Sequence, residues 1–311
     1  MSRILTVAAA QMGPIQRSES RGSAVERMIV MMRQAKGHGC DLIVYPEAAL
    51  TAFFPHWWID DEAEIDSHFE AAMPGNETAV LFAEAKKLGI GFHLGYCELA
   101  HEEGRKRRFN TAILVDKSGA IVGKYRKIHL PGHPDHKPAN AFQNLEKRYF
   151  ETGNLGWKVW RTMGGNIGMM ICNDRRWPES YRVMGLQDVE MIVLGYNTPK
   201  HNPPAPDHDR LGNFHNQLVM QAGAYQNATW VVGVAKAGIE AGVDQIGGSC
   251  IIAPTGEVVA QAVTEGDELV VARCDLDIGK SYKASTFAFE RHREPQHYGM
   301  LVERKGAKPP E

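Results

Sequence analysis

Long apolar runs are missing from this chain. No stretch approaches the ~18 consecutive apolar residues that suggest a membrane-spanning helix. The opening MSRILTVAAAQ carries one basic residue and a short apolar run that stops at Gln11. That is too short for the apolar core of a signal peptide, so a first strand and a cytoplasmic protein are expected. Cysteine is scarce: five residues in 311, odd in number and scattered (Cys40, Cys97, Cys172, Cys250, Cys274). With no CxxC pair, neither a disulfide framework nor a cysteine-based zinc site is expected, and each thiol is either buried filler or reactive. Net charge is only -2, so no overall field favours nucleic acid or anionic lipid. The GxxxxGK[ST] phosphate loop and the HExxH zinc motif do not occur.

What is present is an ordinary globular composition, 43% hydrophobic and 23% charged, enough to build a core. Apolar runs alternate with amphipathic segments. Residues 4–10 read as a buried strand, 23–34 as a helix ended by Gly37 and Gly39, and DLIVYPE as a short strand stopped by Pro46. The alternation continues with a helix over 77–88, strands in IGFHLGYCEL, FNTAILVD and AIVGKYRK, and a KSG hairpin between the last two. A His-, Pro- and Gly-rich stretch over 129–156 is too long for an ordinary connection and reads as a functional loop. Strands follow at NIGMMIC and EMIVLGYN around a helix in RRWPESYRVMGL, then a helix over 207–226 and strands in ATWVVGVAKAG, SCIIAPTGEVVAQA and ELVVARCDL. No linker interrupts this order. Residues 1–280 are expected to form one α/β domain and 281–311 an extended tail packing on a partner subunit.

Three polar residues follow apolar runs directly: Glu47 after LIVYP, Lys127 after IVGKYR and Cys172 after NIGMMI. Side chains at strand ends leave the core but stay on a rigid element, which suits catalysis. A carboxylate, an ammonium and a thiol there make a candidate base, oxyanion stabiliser and nucleophile. A cysteine ending a strand is usually inert filler. Here Asn173, Asp174, Arg175 and Arg176 follow at once and a helix starts near Pro178, a setting expected to lower the thiol pKa.

These three segments, VYPEAAL, GKYRKIHL and MMICNDRRWPE, resemble the Glu-Lys-Cys triad of the nitrilase superfamily of carbon–nitrogen hydrolases, in that family's order. The likeness runs from about Ile4 to Leu276. It implies a four-layer α-β-β-α sandwich, no metal or other cofactor, and assembly into homodimers or homotetramers. The segments LEKRYFETGN, CNDRRWPE, GYNTPKHNPPAPDHD and HREPQHYG resemble the branch of N-carbamoyl-D-amino acid amidohydrolases. One departure is Asn144, where that branch often has His. The resemblance implies hydrolysis of a small ureido substrate with a carboxylate to D-amino acid, ammonia and carbon dioxide. An N-carbamoyl-β-alanine hydrolase, another amidase or nitrilase, and an inactive binding protein remain the alternatives.

On that reading Cys172 attacks, Glu47 moves the proton, Lys127 steadies the oxyanion, a backbone N–H near Asn173 assists, and Glu146 is a second carboxylate. Arg175 and Arg176 are expected to grip the substrate carboxylate, because a guanidinium offers two parallel hydrogen bonds. Asn197 is expected to help, with His129 and His215 as further polar contacts. Other signals are set aside. His201, His208 and His215 recur every seven residues, but Pro203, Pro204 and Pro206 prevent one helix across them, so no metal is expected. GIGFHLG reads as glycines in a packed strand. GRKRRF reads as a solvated turn, so no nucleic-acid partner is expected, and no membrane.

Overall fold

The computed structural model describes residues 2–310. Two six-stranded sheets form its centre. The first runs, edge to edge, through Glu268–Asp275, Ile4–Gln11, Leu42–Val44, Gly91–Glu102, Arg105–Val115 and Ile121–Arg126. The second runs through Val258–Gln261, Cys250–Ile252, Trp230–Ala235, Met191–Tyr196, Gly165–Ile171 and Val159–Thr162. Strands that follow a helical crossover pair in parallel, as Ile4–Gln11 does with Leu42–Val44 and Gly165–Ile171 with Met191–Tyr196. Edge strands pair antiparallel, three of them through short turns and Glu268–Asp275 with Ile4–Gln11 from the far end of the chain.

The period of two along each strand splits its side chains between two cores. Leu5, Val7 and Ala9 join Ile167, Met169 and Ile171 between the sheets. Ala8 and Ala10 turn the other way, onto Val25, Met28 and Met32 of helix Arg21–Gly37 and Leu81 of helix Ala79–Leu88. Tyr181 and Met184 of helix Pro178–Gly185, with Met220 and Ala224 of helix Gly212–Asn227, cover the second sheet. The result is the expected four-layer α-β-β-α sandwich. Both faces of the inner strands are buried, which is why they read as unbroken apolar runs. No helix among the described residues is long and apolar enough to cross a membrane.

Some local expectations change. GRKRRF is not a turn: Arg105 to Arg108 extend the long strand, opposite Leu99 to Glu102. Its charges are paired, Arg108 with Glu62 and Asp66, Lys106 with Asp66, and Arg107 with Glu151. The edge strand Val159–Thr162 and the hairpin Ala237–Glu240/Val243–Ile246 are too short and too polar to register in the apolar pattern. The 129–156 segment holds one helical turn, Glu146–Tyr149. The tail after 280 is not extended. It makes short turns of helix, Phe289–His292 and Met300–Glu303 among them, and is tied to the body by Lys283 on Asp188 and by Arg182 stacked 4.1 Å from the Phe289 ring.

Candidate active site

Glu47 sits three residues past Val44, on a segment threaded between the two sheets. Two glycines make the passage. A β-carbon at Gly95 would lie 2.6 Å from the Pro46 carbonyl oxygen, and one at Gly195 would lie 2.1 Å from the Glu47 nitrogen. One glycine comes from each sheet, so the Glu47 backbone is clamped between the two. Its carboxylate is fully buried and meets four donors. Oε1 accepts from Lys127 Nζ (2.8 Å) and Asn110 Nδ2 (2.7 Å). Oε2 accepts from the Asn197 N–H (2.9 Å) and Asn197 Nδ2 (3.3 Å). Burial pushes its pKa up, but the Lys127 charge and these hydrogen bonds outweigh it and hold the group below the usual carboxylate range.

Lys127 follows the edge strand Ile121–Arg126 and is also buried. Its Nζ bridges Glu47 and Glu146 Oε2 (2.6 Å). Burial alone would lower its pKa, yet the opposing charges of Cys172, Glu146 and Glu47 raise it, so it stays an ammonium. Glu146 opens the helical turn of the long loop. Burial pushes its carboxyl up to about 7, against the pull of Lys127. Cys172 ends strand Gly165–Ile171 and opens a tight turn, Cys172–Arg176, with φ of 47°, a left-handed conformation that costs a β-carbon-bearing residue strain energy. One side-chain atom each of Glu47, Glu146 and Cys172 lie within 4.8 Å of one another. The thiol sits 3.6 Å from the Asn197 carbonyl. Its pKa is raised, by burial first and then by Glu47, with Lys127 and Arg175 pulling the other way. The basic neighbours therefore do not win, and the expected lowered thiol pKa is corrected: the resting group is a neutral thiol beside an ionised carboxylate.

The model of one family, carbon-nitrogen hydrolase, matches residues 6–284. This chain belongs to the carbon–nitrogen hydrolases. It is 31% identical to the N-carbamoylputrescine amidase of Solanum lycopersicum, over 99% of this chain and 98% of that one. It is 29% identical to a citrullinase of Francisella tularensis, over 86% and 89%. Among solved structures, a carbon-nitrogen hydrolase of Helicobacter pylori superposes with TM-score 0.82 at 22% identity, covering 97% of this chain and 99% of that one. An amidase of Nesterenkonia sp. AN1, whose structure shows covalent addition of the acetamide moiety of fluoroacetamide at the active-site cysteine, gives TM-score 0.69 at 18% identity, covering 92% and 96%. Membership fits the sandwich and the Glu-Lys-Cys cluster together.

In this hydrolase Glu146 and Cys172 open on a cavity of about 450 Å³, also lined by Arg176, Asn197 and His215. The other expected contacts lie elsewhere. Arg175 is buried and absent from the cavity wall: its three nitrogens hold Asn216, the Cys172 carbonyl and Thr198. Direct grip of a substrate by Arg175 is therefore corrected. His129 is spent on Asp174, to which it donates from N–H and Nδ1 (both 2.9 Å), and it stacks on Trp177 at 5.2 Å. The Asn173 side chain spans the His129 carbonyl and Arg176. Neither lines the cavity. Asn197 lines it, but its Nδ2 is committed to Glu47, leaving Oδ1 buried without a protein partner. That free atom is an acceptor, which suits an N–H and not the carboxylate expected for it. Residues not anticipated from sequence complete the centre: Asn110, Thr198, Asn216, and Asp174, whose buried carboxylate also takes Tyr125 OH (2.8 Å) and the Ile171 N–H (3.1 Å). A lone amide in the apolar run of FNTAILVD was the one available signal, for Asn110.

Proposed function

We propose that this hydrolase cleaves N-carbamoyl amino acids of D configuration to the free amino acid, ammonia and carbon dioxide. The observation that carries the carboxylate-bearing substrate class is Arg176. Its guanidinium lines the cavity beside Cys172 and has no carboxylate partner among the described residues; its one side-chain contact is Asn173 Oδ1 at 3.1 Å. Arg175 depresses its pKa to about 10, which still leaves a full cation at neutral pH. A substrate ending in a carboxylate supplies the missing partner, and a substrate ending in an ammonium is repelled. The ureido end then meets Cys172, with Glu146 and Asn197 on the same cavity wall. The D configuration is supported by the segments LEKRYF, CNDRRWPE and HREPQHYG.

The steps follow from the charges. Cys172 Sγ bonds to the carbamoyl carbon as Glu47 takes the thiol proton. With a raised thiol and a lowered carboxyl, that transfer is uphill at rest and proceeds together with attack. Lys127 faces the developing oxyanion. Glu47 returns the proton to the departing nitrogen, leaving a carbamoyl thioester on sulfur. Water, deprotonated by Glu47, displaces the sulfur, and the released carbamic acid falls to ammonia and carbon dioxide. The test is a panel of N-carbamoyl-D- and L-amino acids, a decarboxylated analogue, N-carbamoylputrescine, citrulline and a simple nitrile. The D-carbamoyl acid is expected to have the highest kcat/KM, and Arg176→Lys to raise its KM by about tenfold or more, since the paired hydrogen bonds are lost. Preference for the analogue, the putrescine derivative or the nitrile overturns the proposal.

A further inference from the structure

Arg175 is a buried cation without an anion. It is 1% exposed, and no carboxylate lies within 4 Å of its guanidinium among the described residues. Instead Nε donates to Asn216 Oδ1 (2.8 Å), Nη1 to the Cys172 carbonyl (2.7 Å) and Nη2 to Thr198 Oγ1 (3.0 Å), while Tyr196 presents its ring face at 4.3 Å. Asn216 is held in turn, its Nδ2 donating to Tyr196 OH at 3.0 Å. Buried cations are ordinarily paired, because desolvation costs several kcal/mol per ion. Asn216 stands where a carboxylate would be expected, and it is a neutral amide.

We propose that Arg175 is a positioning residue and that Asn216 orients it. The guanidinium fixes the carbonyl of the strained Cys172 and keeps an uncompensated positive charge behind the nucleophile, which finds its counter-charge only when the sulfur becomes anionic. This rests on Cys172 being the nucleophile, as proposed above. The division of labour within the turn follows: of two adjacent arginines, Arg176 looks into the cavity and Arg175 looks back into the fold. The other charged or titratable groups facing the sulfur are Glu47, Lys127, Glu146, Tyr196 and, from the cavity side, Arg176.

The decisive variant is Asn216→Asp, nearly isosteric, which places a carboxylate on Nε while Tyr196 OH can turn to donate to it. The pH dependence of iodoacetamide alkylation at Cys172, read by mass spectrometry, reports the thiol without needing any substrate. The midpoint is expected to rise by about one pH unit or more, as for an opposite charge neutralised nearby. With the carbamoyl substrate, kcat is expected to fall by about tenfold with KM within about twofold, whereas Arg176→Lys moves KM and leaves the alkylation midpoint in place. Arg175→Met, which removes the charge, should follow the Asn216→Asp pattern if folded by thermal melt, whereas Arg175→Lys, which keeps it, should move the midpoint less. An unchanged alkylation midpoint in Asn216→Asp overturns the proposal, as does a rise in KM without loss of kcat. If no carbamoyl substrate is turned over, the substrate reading fails while the alkylation result still decides this one.

Discussion

Replacing Glu146 by Gln should stabilise the protein and cripple it. Glu47, Lys127 and Glu146 put two carboxylates around one ammonium, all buried. The second negative charge has no cation of its own, and its carboxyl is pushed from 4.5 up to about 7. A carboxyl that binds its proton more tightly when folded contributes most at low pH. That contribution is lost as pH rises from the unfolded value through the folded one. Above pH 7 the wild type therefore carries a penalty of about 3 kcal/mol at most, and glutamine, which copies the protonated shape and can still accept from Lys127, does not. In thermal melts the variant should exceed wild type by several degrees at pH 8. The gap should shrink to under about 1 kcal/mol by pH 5, where wild-type Glu146 is protonated. Turnover should fall by about a hundredfold or more, the usual scale for disturbing an oxyanion donor, because Glu146 holds the Lys127 ammonium that faces the oxyanion. A variant less stable than wild type at pH 8, or a stability gap that does not change with pH, refutes the reasoning. Stability given up to hold an uncompensated charge is a common mark of a reacting centre.

Two further outcomes check the rest of the centre. Cys172→Ala should abolish turnover with substrate still bound, measurable by calorimetry, because the Arg176 contact does not pass through sulfur. Iodoacetamide at pH 8 should label Cys172 ahead of Cys40, Cys97, Cys250 and Cys274. All five thiols are pushed up by burial, but Cys172 alone borders the cavity. Labelling of another cysteine first, with activity kept, would count against it as the reactive thiol.

The sequence by itself determined the layers and the three polar residues that meet in the candidate site. A strand buried on both faces must be apolar throughout, so its end is visible as an abrupt polar residue, and Glu47, Lys127 and Cys172 each stand at such an end. Geometry across the fold is another matter. Arg175 and Arg176 are adjacent and chemically identical, and only the course of the Cys172–Arg176 turn sends one to Asn216 and the other to the cavity. The thiol is a similar case. Its neighbours in the chain are basic, but the groups that set its charge are Glu47 and the surrounding desolvation, which arrive from a separate sheet. The Gly95 and Gly195 openings that admit Glu47, and the amides of Asn110 and Asn197 that hold it, likewise come from three separate strands or strand ends. Local pattern reports which face a residue turns to the core, because that depends on its own strand alone. Charge and hydrogen bonding depend on whatever the fold places opposite, and that is decided only when the two sheets meet.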